Sequence, residues 1–459
     1  MMKIVVCVRF GLDGELNPFD ACAYEEALRI KGAEVTLLSM GPRSTENALH
    51  ALTRLGARHA ILLSDSAFAG ADTLATAYAL SKATKKIDPD LIFCGRQTLV
   101  GDTAQTGPML ATLGGASLIT NVMKIEALDS RTVRCQTRDE GEACVNLPAL
   151  LTVERINTLR LPRLRSTMGG ISVWSAADID ADTACCGLGG SPTKVVRTFE
   201  NETGRRRCRL ITREELDGAI RAGLEKSREA AKPEASSDGK TLPLVCIVGE
   251  APRAFAETVS ERIEVLELSD ADTLAREIAA LAPDAVLWGS DAKSKRLAAC
   301  TAAKLSLGLC ADCTRLETDG KTLWMYRPAL SGSIIAKIIS TTRPAMATVR
   351  TDSRCQKNIL VGAGFGVRAE MERIRAFADS LDAEVVTTRK MTDNAIAPYE
   401  LQVGLTGKSV APPVYIAVGI SGAIHHVAGM QRAGTVIAIN PDKNAPIFDY
   451  ADYGIVEEF

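Results

Sequence analysis

The sequence predicts an α/β protein in which two similar Rossmann-like domains precede a third, parallel α/β domain. Three observations carry this reading. Short apolar runs alternate with stretches of helical periodicity, the pattern of strand–helix–strand units around a parallel sheet. Two motifs recur in both halves at almost the same separation. Glycine-bearing polar loops follow several apolar runs, where open α/β sheets hold ligands.

In the first domain, Lys3–Val8, Val35–Ser39, Ala60–Leu63 and Leu91–Cys94 read as strands. Ala21, Tyr24, Ala27 and Leu28 recur at helical spacing between the first two. The second half repeats the plan. Pro89-Asp90-Leu-Ile-Phe-Cys-Gly95 is echoed by Pro283-Asp284-Ala-Val-Leu-Trp-Gly289, and Leu147-Pro148-Ala-Leu-Leu-Thr152-Val153 by Arg343-Pro344-Ala-Met-Ala-Thr348-Val349. The prolines of the two motifs lie 59 residues apart in the first half and 61 in the second. One supersecondary plan is therefore used twice, over residues 1–155 and 241–350.

Between the repeats, Cys186-Gly-Leu-Gly-Gly-Ser-Pro-Thr-Lys-Val-Val-Arg197 reads as an irregular arm. Thr212 and Glu215 form a capping box that opens a helix, and Lys232–Lys240 has linker composition, the point at which two ancestral chains would be joined. The expected boundaries are a nucleotide-binding α/β domain at 1–185, the arm, helix and linker at 186–240, a second α/β domain at 241–350 and a C-terminal domain at 355–459. The last has expected strands Asn358–Val361, Glu384–Thr387, Val414–Val418 and Thr435–Ile439.

Composition narrows the class. A chain of 459 residues exceeds one hydrophobic core and suits about three domains. Aromatics are only 4 %, which argues against stacking of nucleic-acid bases. The net charge of −2 points to neither a polyanion nor a membrane surface. The run Met1–Val8 is too short for a signal peptide, and no apolar stretch of about 18 residues suggests a membrane span. With thirteen scattered cysteines, a cytoplasmic protein with reduced thiols is expected. Cys310-Ala-Asp-Cys313 lacks a second pair or histidine cluster, so it reads as structural and no metal is expected. The vicinal Cys185 and Cys186 read as inert.

Two regions could carry chemistry. Gly95-Arg-Gln97-Thr-Leu-Val-Gly101-Asp102-Thr103-Ala104-Gln105-Thr106-Gly107-Pro108 follows a buried strand and leads into a helix. Its backbone N–H groups could approach a phosphate, assisted by the helix N-terminus. Asn17-Pro18-Phe19-Asp20 opens another helix, with Asn17 as N-cap, Pro18 at N1 and Asp20 at N3. Ordinary cap and turn chemistry explains these residues as well as a nucleotide does. The counterpart in the second repeat, Gly289-Ser-Asp-Ala-Lys-Ser-Lys-Arg296, lacks the later glycines, so no nucleotide is expected there.

The C-terminal domain is denser in such loops. Gly362-Ala-Gly364-Phe-Gly366 follows a strand, although G-x-G-x-G alone is a weak signal. Gln402-Val403-Gly404-Leu405-Thr406-Gly407-Lys408 is a polar loop, Gly419-Ile-Ser421-Gly422-Ala423-Ile424-His425-His426 leads from a strand into a helix, and Thr435–Ile439 ends on Asn440. Together the four loops would rim one crevice. Ser421 resembles the serine of a hydrolase elbow. Both histidines follow on the same helix and no acid completes a triad, so hydrolysis is not expected. His425 and His426 point about 100° apart, and at most one faces the crevice.

At these residues the sequence resembles the electron-transfer flavoprotein family along nearly its whole length. Residues 1–230 resemble its β subunit and 240–459 its α subunit, fused where the family is typically a heterodimer. The most specific stretch is Gln402–Met430, followed by Ile439–Phe448 and Ala451–Gly454; further matches are Asn17–Asp20, Gly101–Gly107, Gly189–Val195, Gly308–Thr314 and Arg343–Arg350. The resemblance implies adenine nucleotide hydrolase-like repeats and FAD in the C-terminal domain. It puts Thr406 at flavin N5, His426 near the N1/C2 carbonyl edge and Arg389 close to the isoalloxazine. Gln402–Gly407, Ser421–His426 and Asn440 would line the ring, ribityl and pyrophosphate portions. A hydroxyl can exchange a hydrogen bond with N5, and a cation or donor beside N1 stabilises the anionic reduced flavin. In the β-like half, Asn17–Asp20 and Gln97–Pro108 match loops that hold AMP, or a second FAD in bifurcating members.

The sequence also departs from the family. Phe365 stands where an arginine is usual, so one phosphate contact is expected to be missing. Leu405 and His425 replace glutamines, and Val100 replaces an acid. The loop between Val8 and Asn17 is nearly absent. Around Leu161–Met168 the lysine-rich dehydrogenase-recognition loop is shortened, so partner choice and any reaction with NADH transfer least directly. The resemblance implies an electron carrier that takes electrons from acyl-CoA dehydrogenase-type flavoenzymes and passes them on, and a monomer of the fused chain is expected. The alternatives are a bifurcating member that oxidises NADH with a second FAD and, from another class, a non-redox adenine-nucleotide binder.

Overall fold

The computed structural model describes residues 1–11, 14–98, 101, 103–200, 205–229, 240–329, 334–351, 356–404 and 407–459. The chain divides into two compact units. One comprises Met1–Thr198, Ser236–Leu330 and Ala336–Val349; the other comprises Phe199–Ala235, Ser331–Ile335 and Arg350–Phe459.

The first repeat is a nine-stranded sheet. Its strands run in the spatial order Gly141–Asn146, Thr132–Thr137, Ser117–Leu128, Ala149–Val153, Leu91–Gly95, Lys3–Cys7, Glu34–Met40, His59–Leu63 and Gly170–Trp174. The central strands are parallel and almost wholly apolar, because helices cover both faces. The chain winds outward from Lys3–Cys7 to His59–Leu63, then returns to place Leu91–Gly95 on the other side of the first strand. That reversal opens a crevice between the carboxyl ends of Lys3–Cys7 and Leu91–Gly95.

The second repeat keeps the core of this plan. Its parallel strands run Ile263–Leu266, Val245–Val248, Ala285–Trp288, Ala345–Val349 and Leu309–Cys313. Pro148 and Pro344, matched in sequence, both follow cis peptide bonds. The two repeats lie in one compact unit and share a core. Helices Thr73–Ile87 and Thr106–Gly114 pack with Ala271–Leu281 and Ala292–Leu305. Ala77, Ala83, Ala111, Ala298 and Ala302 are buried in one cluster, and their small side chains let the helices approach closely.

The stretch read as an irregular arm becomes a strand from Thr193 onward. Thr193–Glu200 lies in a four-stranded sheet with Ile334–Ser340, Leu323–Ala329 and Arg315–Thr318. Its start is fastened by Asp72, whose Oδ2 accepts from Thr193 N at 3.0 Å and Thr193 Oγ1 at 2.7 Å. Sequence patterning missed this because the strand is mostly exposed, so it shows no buried alternation.

The C-terminal unit has a six-stranded parallel sheet, ordered Arg209–Leu210, Tyr453–Ile455, Thr435–Ile439, Val414–Val418, Ile359–Ala363 and Glu384–Thr387. The four strands expected here are present, the first shifted to Ile359–Ala363. The Thr212–Glu215 capping box is also present, with Thr212 N donating to Glu215 Oε2 at 2.8 Å. The helix it precedes, Leu216–Glu229, packs on this sheet, as does Arg206, which donates to the carbonyls of Gly434 and Gln431 at 3.2 and 3.3 Å. The helix assigned from sequence to the inter-domain arm therefore belongs to the C-terminal unit.

A Cβ on Gly223 of that helix would lie 2.8 Å from Thr435 Cβ and 2.9 Å from Val414 Cγ2. Gly223→Ala is expected to destabilise the C-terminal unit by about 1–3 kcal/mol through overpacking. A denaturant titration checks this, and an unchanged midpoint would remove the helix from its assigned place.

Candidate functional site

In the C-terminal sheet the chain runs from Ile359–Ala363 to Glu384–Thr387 on one side, then to Val414–Val418 on the other. The reversal lies between Ile359–Ala363 and Val414–Val418, so their carboxyl ends frame the crevice of this unit. The turns leaving the two strands touch through backbone. A Cβ on Gly364 would come within 2.0 Å of Gly419 O, and Gly366 N donates to that carbonyl at 3.2 Å. Gly422, at φ 89°, faces Ile447 N across a gap that a Cβ would close to 2.1 Å. The glycines of Gly362-Ala-Gly364-Phe-Gly366 thus secure the crevice wall.

Several expected site residues hold this edge in shape. Asn440 Nδ2 donates to Ile420 O at 2.9 Å, and its Oδ1 accepts from Asp442 N at 2.9 Å. Gln402 Oε1 accepts from Thr392 Oγ1 at 3.0 Å, while Val403 N donates to Thr387 O at 2.9 Å. The loop turns back on itself, with Gly407 N donating to Gly404 O at 3.1 Å and Lys408 N to Gln402 O at 2.8 Å. Leu405 and Thr406, at its tip, lie outside the described residues. Arg389 is paired with Asp393 at 3.2 Å.

The two histidines separate as their spacing requires. Ser421, Ala423, Ile424 and His425 are exposed, whereas His426 is buried. His426 Nδ1 lies 3.1 Å from Val403 O and Nε2 lies 3.0 Å from Tyr415 Oη. A carbonyl can only accept, so Nδ1 carries the proton and Nε2 accepts from the tyrosine. The ring, which burial keeps neutral, ties the Gln402–Lys408 loop to the helix Ile424–Met430. Both ring nitrogens of His426 are thus engaged by Val403 and Tyr415. Tyr415, fully buried, reads from sequence only as a strand residue.

The donor set of this edge fits a flavin dinucleotide. A hydroxyl, an imidazole and cations are exposed or half-buried along it, and the buried Oγ1 atoms of Thr387 and Thr388 have no hydrogen-bond partner among the described residues.

The crevice of the first repeat is built differently from its sequence reading. Asn17 makes no side-chain cap; its Nδ2 donates to Gln97 O at 2.9 Å, and its buried Oδ1 has no partner among the described residues. Asp20 bridges the two strand ends, its Oδ2 accepting from Arg9 N at 2.8 Å and its Oδ1 from Gly95 N at 3.1 Å. Pro18 begins the helix and Phe19 is buried beneath the Arg96 guanidinium. Gln105 Oε1 accepts from Thr73 Oγ1 at 2.9 Å while its buried Nε2 has no partner among the described residues. Thr103 Oγ1 lies 3.5 Å from Gln105 N, Ala104 has φ 55°, and Thr106 and Gly107 start the following helix. Asp102 lies outside the described residues.

Sequence reasoning missed one contributor here. Arg327, on a strand of the second repeat, donates to Gly101 O at 2.9 Å. No local pattern announces it, since the contact joins residues 226 positions apart. In the second repeat, Asp291 caps its helix through Ser294 N at 2.9 Å, ordinary cap chemistry in place of a ligand loop. Among the described residues no group of side chains forms a metal site, and the cysteines are free thiols.

The description "Electron transfer flavoprotein domain" matches residues 4–179 and 260–363, and "Electron transfer flavoprotein FAD-binding domain" matches 355–431. The chain belongs to the electron transfer flavoprotein family. The first match covers both repeats and the second falls on the C-terminal unit, which is the FAD-binding domain. The electron transfer flavoprotein subunit beta of Thermoanaerobacterium thermosaccharolyticum is 40 % identical over 209 residues, 43 % of this chain and 80 % of that protein. Protein FixA of Rhizobium meliloti is 39 % identical over 258 residues, 51 % of this chain and 88 % of that protein. The subunit beta of Clostridium acetobutylicum is 42 % identical over 205 residues, covering 42 % and 79 %. These β relatives account for about half of this electron transfer flavoprotein, and the FAD-binding α segment is fused behind it.

Two buried groups of the flavoprotein titrate in opposite senses. Burial, the larger cause, lowers His426 to about 4 from 6.5, against the raising effect of its bond to Val403 O. Its neutral ring stabilises the fold fully above pH 6.5, and that contribution is lost as pH falls toward 4. Burial raises Asp20 to about 7 from 3.8, outweighing the hydrogen bonds from Arg9, Asn17 and Gly95. Its contribution is complete below 3.8 and is lost as pH rises to about 7. Between about pH 5 and 6.5 the two slopes oppose, each limited to about 1.4 kcal/mol per pH unit. H426Q is expected to make stability fall more steeply with rising pH, and D20N to make it rise more steeply. Unfolding free energies across that window check both signs.

Proposed function

We propose that this flavoprotein is a single-chain electron carrier. Its FAD, bound in the C-terminal crevice, takes electrons from a flavin dehydrogenase of the acyl-CoA dehydrogenase type and delivers them to an acceptor in the cytoplasm. The observation that carries this is the position of the crevice: it lies at the chain reversal of a parallel sheet, within the residues that match the FAD-binding description. When bound, FAD supplies the one- and two-electron chemistry. The chain's own residues do the holding. Gln402, Val403, Gly404 and Gly407 shape one loop, Ser421, Gly422, Ala423, Ile424 and His425 form the opposite turn, and Asn440 braces it. Leu405 and Thr406 complete the first loop, with the Thr406 hydroxyl offered to flavin N5. Arg389 brings positive charge to the ring, and the neutral His426 serves through its hydrogen bonds, positioning the loop.

A second nucleotide in the first repeat is favoured by a specific observation. Asn17 Oδ1 and Gln105 Nε2 are buried without partners among the described residues, and native buried polar groups rarely stay unpaired. An adenine nucleotide offers both a donor and an acceptor. AMP makes the chain a simple carrier; a second FAD makes it a bifurcating one able to use NADH. Denaturing the purified protein and counting released cofactors tests all readings. One FAD and one AMP per chain are expected, two FAD would establish the bifurcating form, and adenine nucleotide without flavin would favour the non-redox binder and overturn the carrier.

The partner-docking loop we assign to residues 159–168. Leu161 and Leu164 are 87 % and 97 % exposed, flanked by Arg160, Arg163 and Arg165. Leucines held in water at such exposure gain by entering an apolar pocket. Leu164→Ala is expected to raise the KM for a partner dehydrogenase about tenfold, the scale of one lost anchor, with flavin content unchanged. Steady-state reduction kinetics measure it, and an unaltered KM would move the docking surface elsewhere.

A further inference from the structure

From sequence, Phe365 reads as a missing phosphate contact; in the fold its ring gathers two cations. The ring lies just beyond the carboxyl end of Ile359–Ala363. Two cations sit against it. The Arg368 guanidinium carbon is 4.7 Å from the ring centroid and Lys390 Nζ is 4.3 Å. Arg368 is also held by its own bond, Nη1 donating to Phe365 O at 3.2 Å. Lys390 lies on the short helix Arg389–Asp393, just after the strand Glu384–Thr387 that pairs with Ile359–Ala363 through Ala363 and Thr387. Two elements therefore bring their cations to a single aromatic ring.

Two neighbouring cations are already neutralised by carboxylates. Arg389 is paired with Asp393 and Arg373 with Glu370. Arg368 and Lys390 make no ion pair with a described carboxylate, and both are exposed. Two like charges at one ring repel, and the ring's quadrupole offsets only part of that cost. An arrangement of this kind is completed by an anion of two charges. The N–H groups of Gly364 and Gly366, on either side of Phe365, are already bonded to Val418 O at 2.8 Å and Gly419 O at 3.2 Å, so the positive charge available here is that of the two side chains. A cleft of about 450 Å³ continues from Arg368 along Met371, Arg375 and Ile396, with Glu370 and Glu372 on its rim.

We propose that Arg368 and Lys390, seated on Phe365, form a cationic clasp for the pyrophosphate of FAD. The proposal rests on the FAD reading of the C-terminal unit and adds the residues that grip its dianionic portion. The pyrophosphate is the one part of the cofactor whose charge matches two unpaired cations, and Ile359–Ala363 borders the crevice at the sheet reversal. Phe365 acts as a positioning residue: it presents the two heads without touching the phosphates.

The test is a fluorescence titration of flavin-free protein with FAD and, separately, with riboflavin, which lacks phosphate. R368M/K390M is expected to weaken FAD binding about 30- to 100-fold, on the scale of two lost charge-assisted contacts, and to flatten its salt dependence. Riboflavin affinity stays within about twofold. The charge-retaining R368K/K390R keeps FAD affinity within about threefold, and F365L, which removes the aromatic seat alone, costs about fivefold. FAD affinity unchanged in R368M/K390M overturns the clasp, as does an equal loss for FAD and riboflavin, which would place the damage at the ring. If the unaltered protein takes up no FAD at all, the FAD reading falls and the clasp with it.

Discussion

The C-terminal crevice depends on a backbone contact that only glycine permits. With Gly419 O where a Cβ of residue 364 would be, the turns that leave Ile359–Ala363 and Val414–Val418 are forced together. That closeness fixes the direction in which each chain departs. One turn runs on to Phe365 and Arg368, the other to Ser421 and the short helix carrying both histidines. Asn440 and the Val403–His426–Tyr415 chain then hold the turns from behind. Side chains that face the opening do so because backbone behind them has no room to move.

The same physics explains what was legible in the sequence. Parallel strands buried on both faces are continuous apolar runs, so the central strands and the internal repeat stood out, as did the capping box at Thr212. The flavin region was legible through its glycines and hydroxyls, because close backbone approach demands those residue types. What stayed hidden depends on partners far away in the chain. Asn17 looked like a helix cap and instead holds Gln97 O; Asp20 looked like a favourable first-turn acid and instead bridges two strands. The inward turn of His426 depends on Tyr415, and Arg327 reaches Gly101 from the other repeat. Local rules name the residue type correctly in each case and the partner wrongly.

The repeats also show how one plan diverges. Each has a chain reversal at the same place in its sheet, so each has a potential crevice. The first lines its crevice with a glycine-bearing loop and two amides, Asn17 and Gln105, each with one end unpartnered among the described residues. The second closed its own with an ordinary Asp291 cap, and spent its divergence on Arg327, which steadies the loop of its neighbour.

The shared core of the two repeats has a kinetic meaning as well. Where such halves are separate subunits, assembly is bimolecular, and dilution dissociates them. Here the alanine-lined helix contact forms within one polypeptide, so its local concentration is set by the linking chain and does not fall with dilution. Synthesis of one messenger product delivers both halves in equal number. The carrier can consequently remain assembled at abundances where a two-chain form would have come apart.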